Sequence, residues 1–190
     1  MKKRTRRHPL GALLRQMHAG KPDRAGLDRG QATLAAGLSL LMLALLAGGV
    51  VDLARLWETR LWAYRAAEAA ALAGASAGRD YTHYVASGFV RLDVSSAQDA
   101  AQHALLTVLS TRGLDSAGGY DIRVHPDASA GSYPGFPPVA HAAMGVATWN
   151  PNTPAVAVYL VVPLRPILYG WINGNRDIDI RVFASAGVVL

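Results

Sequence analysis

The chain has 190 residues, no cysteine, a formal net charge of +6 and 51% hydrophobic residues, many of them alanine. The lack of cysteine excludes disulfides, thiol nucleophiles and thiolate metal sites, and it is compatible with an exported domain. The charge is uneven. Nine Lys and Arg against two Asp leave +7 before residue 32 and −1 after it, and a basic arm without interleaved aromatics or a nucleic-acid module gives no support to a DNA or RNA partner.

Residues 1–31 read as a basic cytoplasmic segment, followed by twenty uncharged residues, Ala32 to Val51 (ATLAAGLSLLMLALLAGGVV). As a helix this run spans roughly 30 Å, the thickness of a bilayer's hydrocarbon core. A short positive flank fixes its side of a spanning helix in the cytoplasm, so residues 52–190 are expected outside. The alternative is a cleaved secretory signal, with a small-x-small site at Ala47-Gly48-Gly49 and a soluble binding module released near Gly49. The apolar core is longer than the usual ~7–15 residues of a signal, and helix-compatible sequence continues unbroken past Asp52.

From Asp52 to Ala77 the chain reads DLARLWETRLWAYRAAEAAALAGASA, without proline and rich in helix formers. Leu53, Trp57, Leu61, Tyr64, Glu68 and Ala71 follow a three-to-four spacing, and Asp52/Arg55, Arg55/Glu58 and Arg65/Glu68 are spaced for intrahelical pairs. A helix from Ala32 to Ala75 would be about 66 Å long. A small domain cannot cover such a rod, so lateral packing with other helices is expected. Ala32/Ala36 and Ala44/Gly48 lie four apart, as in closely packed membrane helices, and the alanines from Ala66 to Ala75 continue a narrow rod above the membrane.

The remainder, residues 78–190, reads as an exported α+β domain. A Gly-, Ser- and aromatic-rich loop precedes a second helix that Ser96 can cap, with Asp99 as reciprocal partner. Its buried stripe is Ala97, Ala101, Ala104, Leu105, Val108 and Leu109, and Gly113 offers a stop. Tyr120–Val124 alternates like a strand, and Pro126–Pro138 reads as an exposed loop. Ala143–Trp149 and Ala155–Val162 flank NPNTP as a hairpin, with Pro163 and Pro166 ending the second strand. Ile167–Trp171 reads as a short apolar turn, and Asn173–Asn175 turns the chain back. The last strand places Ile178, Ile180, Val182, Ala184, Ala186 and Val188 on one face, with Asp177, Asp179, Arg181, Phe183 and Ser185 on the other. The expected fold is a long N-terminal helix, a second helix and a small, mainly antiparallel sheet with one solvated face.

The residues from Arg29 to Ala77 resemble the N-terminal region of TadE/TadG-type proteins of tight-adherence (Tad, or Flp) pilus assembly. The likeness rests on Arg29-Gly30-Gln31, the apolar segment, VDLARL at Val51–Leu56, Arg60, and AAEAAALAGA at Ala66–Ala75, which is similar to the family's AADAAALAGA signature. The resemblance implies a pilin-like component or assembly factor of an envelope-spanning pilus or secretion machine, serving adherence and biofilm formation. It would sit in a bacterial inner membrane as a single-pass protein, with its C-terminal domain periplasmic or extracellular. Its partners would be membrane lipid, other Tad assembly proteins or pilins, and itself through the N-terminal helix. Some relatives are prepilins cut after a glycine, with glutamate at the fifth mature position. Here that scheme makes Gly30 the cut site and Gln31 the first residue, but Ala35 stands in place of the glutamate, which favours a membrane-retained, G-like protein.

Asp52, at the membrane exit, is expected to pair either with Arg55 or with a basic group on a neighbouring helix, fixing insertion depth. Glu68 faces a similar choice between Arg65 and another subunit. With Ala44, Gly48 and Arg60 these make the candidate helix-partner contacts. Trp57, Trp62 and Tyr64 suit an interfacial aromatic belt or packing onto the exported domain. The histidines at 8, 18, 83, 103, 125 and 141 lack ligand spacing and read as surface residues. No nucleophile, P-loop or dinucleotide fingerprint is present, so neither an enzyme nor a cofactor is expected.

Overall fold

The computed structural model describes residues 24–114, 119–138, 148–172 and 174–188. The chain divides into two compact units, Met1–Ala47 and Gly48–Leu190. In the described part of the first, the backbone is helical throughout. That helix, α1 (Arg24–Ala77), runs unbroken into the second unit. Its stretch from Gly30 is long and apolar enough to cross a membrane by length and composition, and its most apolar window is not buried at all. A core helix of a soluble domain would be covered there.

The second unit is α+β. After α1 come α2 (Tyr81–Ser87), α3 (Val94–Ser110), β1 (Gly119–His125), β2 (Ala155–Leu164), α4 (Leu168–Ile172) and β3 (Ile178–Gly187). The strands form an antiparallel sheet in the order β1-β2-β3. One sheet face packs against α1 and α3. Val156, Val158, Leu160 and Val162 of β2 are fully or almost fully buried there, with Ala97, Ala101, Leu105 and Leu109 of α3. The expected alternation of β3 holds, since Ile180, Val182, Ala184, Ala186 and Val188 are all buried on that face.

α1 contributes Ala63, Ala66, Ala67, Ala70, Ala71 and Ala75 to this core. The alanine run, expected to serve lateral packing with other proteins, is therefore spent on the chain's own sheet and α3. Small residues let the backbones approach. A Cβ placed on Gly74 would lie 2.7 Å from the Ala97 carbonyl oxygen and 2.9 Å from the Ala101 Cβ. The crossing is locked by backbone hydrogen bonds, with Asp93 N–H donating to Gly78 at 2.7 Å and Asp80 N–H to Arg91 at 2.9 Å.

Several local expectations are corrected. The 78–95 segment contains α2, whose first turn is capped by Asp80 through the His83 N–H at 2.9 Å. The cap of α3 is Asp93, not Ser96 with Asp99. The Asp93 carboxylate accepts the Ser96 N–H and the Ser95 hydroxyl, each at 2.9 Å. A carboxylate offers more acceptor capacity than a serine hydroxyl, and Asp93 has the extended backbone that a cap requires. Pro163 does not end β2. β1 pairs only as far as Val161, so Pro163 lies where β2 has a neighbour on one side alone, opposite Asp179, and its missing N–H costs no ladder bond on the open side. Residues 143–147 of the expected hairpin, and Asn173, lie outside the described residues; Trp149 forms an isolated bridge with Tyr133.

The far face of the sheet is not simply solvated, nor is the 126–138 loop simply exposed. Phe136, Trp149, Ala155, Ala157 and Tyr159 form a second buried cluster, with Tyr133 and Phe183 against it. His125, expected at the surface, is fully buried beside it. Its Nε2 donates to the Gly131 carbonyl at 2.8 Å, and its ring meets those of Tyr133 and Trp149 edge-on.

Candidate functional site

Two features of the Gly48–Leu190 unit stand out where α1 leaves its uncharged run. The first is a clasp. α4 follows Pro166 and has no Ser, Thr, Asp or Asn at its start, so its first N–H groups need an acceptor from elsewhere. Asp52 supplies it. Its Oδ1 accepts the Ile167 N–H at 2.7 Å, and its Oδ2 accepts those of Leu168 and Tyr169 at 2.7 and 2.9 Å. These bonds, that of Tyr169 foremost, hold the carboxyl below the ordinary value of 3.8, with Arg55 adding a smaller pull. The carboxylate thus caps a helix more than a hundred residues away. Among the described residues Asp52 forms no ion pair with Arg55, the intrahelical alternative. Gly48, another candidate partner contact, lies under the same helix. A Cβ there would sit 3.2 Å from Leu168 Cδ2, so glycine lets α4 rest on the helix.

The second feature is the outward face of α1. Leu53 and Trp57 are each 67% exposed, and Leu61, Tyr64 and Leu72 are exposed as well. At spacings of four, four, three and eight these side chains share one stripe. Ala71, placed by periodicity on this stripe, is instead fully buried, and Leu72 takes its place outside. Beside the stripe, Trp57, Arg60, Leu61 and Tyr64 line a groove of about 320 Å³ closed on the other side by Val182 and Phe183 of β3. The groove is mostly apolar, with the Arg60 guanidinium as its charged group.

Trp62 behaves differently from Trp57. It packs against the core and carries the guanidinium of Arg112, in the turn after α3, at 4.5 Å from its ring. The same guanidinium pairs with Glu58 at 3.4 Å, so Glu58 bonds across to the turn after α3 rather than back to Arg55. Glu68 is exposed on the stripe itself, and among the described residues it forms no ion pair with Arg65. Ala44, Gly30, Gln31 and Ala35 are exposed along α1, the Gly30–Gln31 bond lying within the helix.

The structure brings Asp52 and Gly48 together at the clasp, and sets Arg60 in the groove with Glu68 further along the stripe. Sequence reasoning did not find α4 as the partner of Asp52, nor Phe183 as the far wall of the groove. The one available signal was an uncapped apolar stretch following a proline. Among the described residues, no group of three or more His, Asp and Glu is placed to hold a metal ion. The chain matches no protein-family model, no curated protein and no solved structure.

Proposed function

We propose that this protein is a single-pass, membrane-anchored component of a Tad/Flp-type pilus or secretion assembly, acting through protein–protein contacts and without chemistry of its own. Residues 1–31 would remain in the cytoplasm, Ala32–Val51 would span a bacterial inner membrane, and the α+β unit would stand outside it. The observation that carries this reading is the uncovered stripe Leu53, Trp57, Leu61, Tyr64 and Leu72. Large apolar side chains aligned on the solvent side of a helix suit the long helix of a neighbouring subunit, with Phe183 and the groove receiving its side chains. The family likeness at Arg29–Ala77 supports the choice of assembly.

The uninterrupted course of α1 through Gly49 favours a retained anchor over a released module. The cysteine-free chain makes the test direct. Single cysteines replacing Leu53, Leu61 or Leu72 should crosslink in intact membranes to a pilin-like neighbour. His103→Cys, on the exposed side of α3, should not. Crosslinking at all four positions alike, or at none, rejects the stripe as the contact. Recovery of the protein from the soluble fraction with a new N-terminus near Val50 rejects the anchor.

A further inference from the structure

The segment after β2 alternates in its exposure. Pro166 and Gly170 are buried and Leu168 rests on Gly48, whereas Ile167, Tyr169 and Trp171 are 62, 50 and 84% exposed. A helix of five residues has no stability of its own. It is held by the Asp52 carboxylate on one side and by Leu168 on the other, and with Ile167 before it the segment presents outward a branched aliphatic, a phenol and an indole. Among the described residues these three side chains are left exposed, and two of the three are the amphipathic aromatics that concentrate at membrane–water boundaries.

We propose that Ile167, Tyr169 and Trp171 form a second membrane contact, dipping into the lipid interface beside the point where α1 emerges. The inference rests on the reading of Ala32–Val51 as a span. Gly48, which α4 touches, belongs to the last turn of that run, and Asp52 is the first charge after it. At a rise of about 1.5 Å per residue, these two anchoring points are only roughly 6 Å apart along the helix. α4 is therefore fixed at the level where hydrocarbon gives way to headgroups, a zone several ångströms deep. Arg165 and Arg176 flank the segment, both exposed, with Arg165 Nε donating to Asn175 Oδ1 at 3.2 Å and the exposed Asp177 beside Arg176; such cations can meet lipid phosphates while apolar side chains enter.

This combination favours a lipid surface over a protein partner. It is continuous with the membrane-exit turn, it exposes two aromatic side chains and an isoleucine within five residues, and its flanking cations complement anionic headgroups. A single spanning helix fixes depth but leaves the exported unit free to tilt and turn. A second contact on one side of the helix would hold the unit's orientation, and with it the direction in which Trp57 and Leu61 face.

The test uses the whole polypeptide, reconstituted into phosphatidylcholine–phosphatidylglycerol vesicles, with nitroxide labels on single cysteines. Ile167→Cys and Trp171→Cys probe the segment, Val85→Cys in α2 reports water, and Met42→Cys reports the span. Collision rates are compared for oxygen, which concentrates in lipid, and a nickel chelate, which stays in water. Labels at 167 and 171 should show an oxygen-to-nickel ratio several-fold above that at 85, and below that at 42. A ratio at 167 and 171 equal to that at 85, with 42 still lipid-like, overturns the proposal and leaves the span intact. Shielding of both positions from both agents also overturns it, because protein then covers the segment. A water-like label at 42 overturns the span, and this proposal with it.

Discussion

The two sides of α1 beyond Gly48 invert the usual arrangement of an amphipathic helix. From Ala63 on, the side turned to the sheet is made of alanine and glycine, with only Leu56 and Trp62 as larger residues packed against the core before it, while the side turned away carries Leu53, Trp57, Leu61, Tyr64 and Leu72. An ordinary surface helix buries its large residues and exposes its small and polar ones. Here the inner side is built for proximity and gains little apolar area per residue; the bulk of the core comes from the branched side chains of β2 and β3. The outer side holds the apolar area that the fold leaves unused. The residues that build the core and the apolar residues left exposed thus lie on different sides of a single helix, and substitutions can test whether the exposed side serves the contact proposed for it.

The largest effect is expected where the inner side is tightest. Gly74→Leu would force side-chain atoms into the Ala97 carbonyl and Ala101, and backbone cannot yield as a flexible side chain can. A loss of about 3 kcal/mol is expected, the upper part of the range for overpacking, lowering the thermal midpoint of the detergent-solubilised protein by about 10 °C. An unchanged midpoint would mean that α1 and α3 do not cross at backbone contact. Next comes Trp62→Ala, which removes a half-buried ring and strands the Arg112 guanidinium stacked on it. About 2 kcal/mol should be lost in the same measurement.

The clasp allows a local test. Because hydrogen bonding lowers the Asp52 pKa from 3.8, its hold on α4 is complete above that value and is lost as pH falls through the lowered one. The amide proton shifts of Ile167, Leu168 and Tyr169 should therefore titrate together in the NMR spectrum, with a midpoint below 3.8. In Asp52→Asn they should be flat with pH, since the amide keeps an acceptor oxygen but has no proton to gain. Independent titration of the three amides would show that they do not share one carboxylate.

The regular elements were legible because their signals are local. The alternation of β3 and the stripe of α3 each repeat several times within one element, so one ambiguous residue changes nothing. The course of α1 needed only the lack of proline and the run of helix formers. What was hidden depended on contacts distant in sequence. Nothing near Asp52 reveals that its acceptors are matched to Ile167, Leu168 and Tyr169, and Arg55, three residues on, supplied a nearer and mistaken partner. The alanine run was misassigned because alanine carries no preference between a neighbour's helix and the chain's own sheet. His125 follows Val124 in an alternating strand and so points to the other sheet face, but only the folded loop carrying Tyr133 and the neighbouring Trp149 bury it.

The smallest expected change in stability is the most telling about the outer side of α1. Trp57 and Trp62 are five residues apart on one helix, and about 140° of phase separates a ring in solvent from a ring on the core. If the outer stripe is surplus to folding, Trp57→Ala should shift stability by no more than about 0.5 kcal/mol, the range for surface substitutions free of special contacts. The same change should remove most of the crosslinking of a cysteine at position 61, because the indole forms one wall of the groove that Leu61 also lines. A helix partner seated on Leu61 cannot avoid the neighbouring Trp57. A stability loss approaching that of Trp62→Ala would place Trp57 in the fold rather than in a contact, and unchanged crosslinking would move the contact away from the groove.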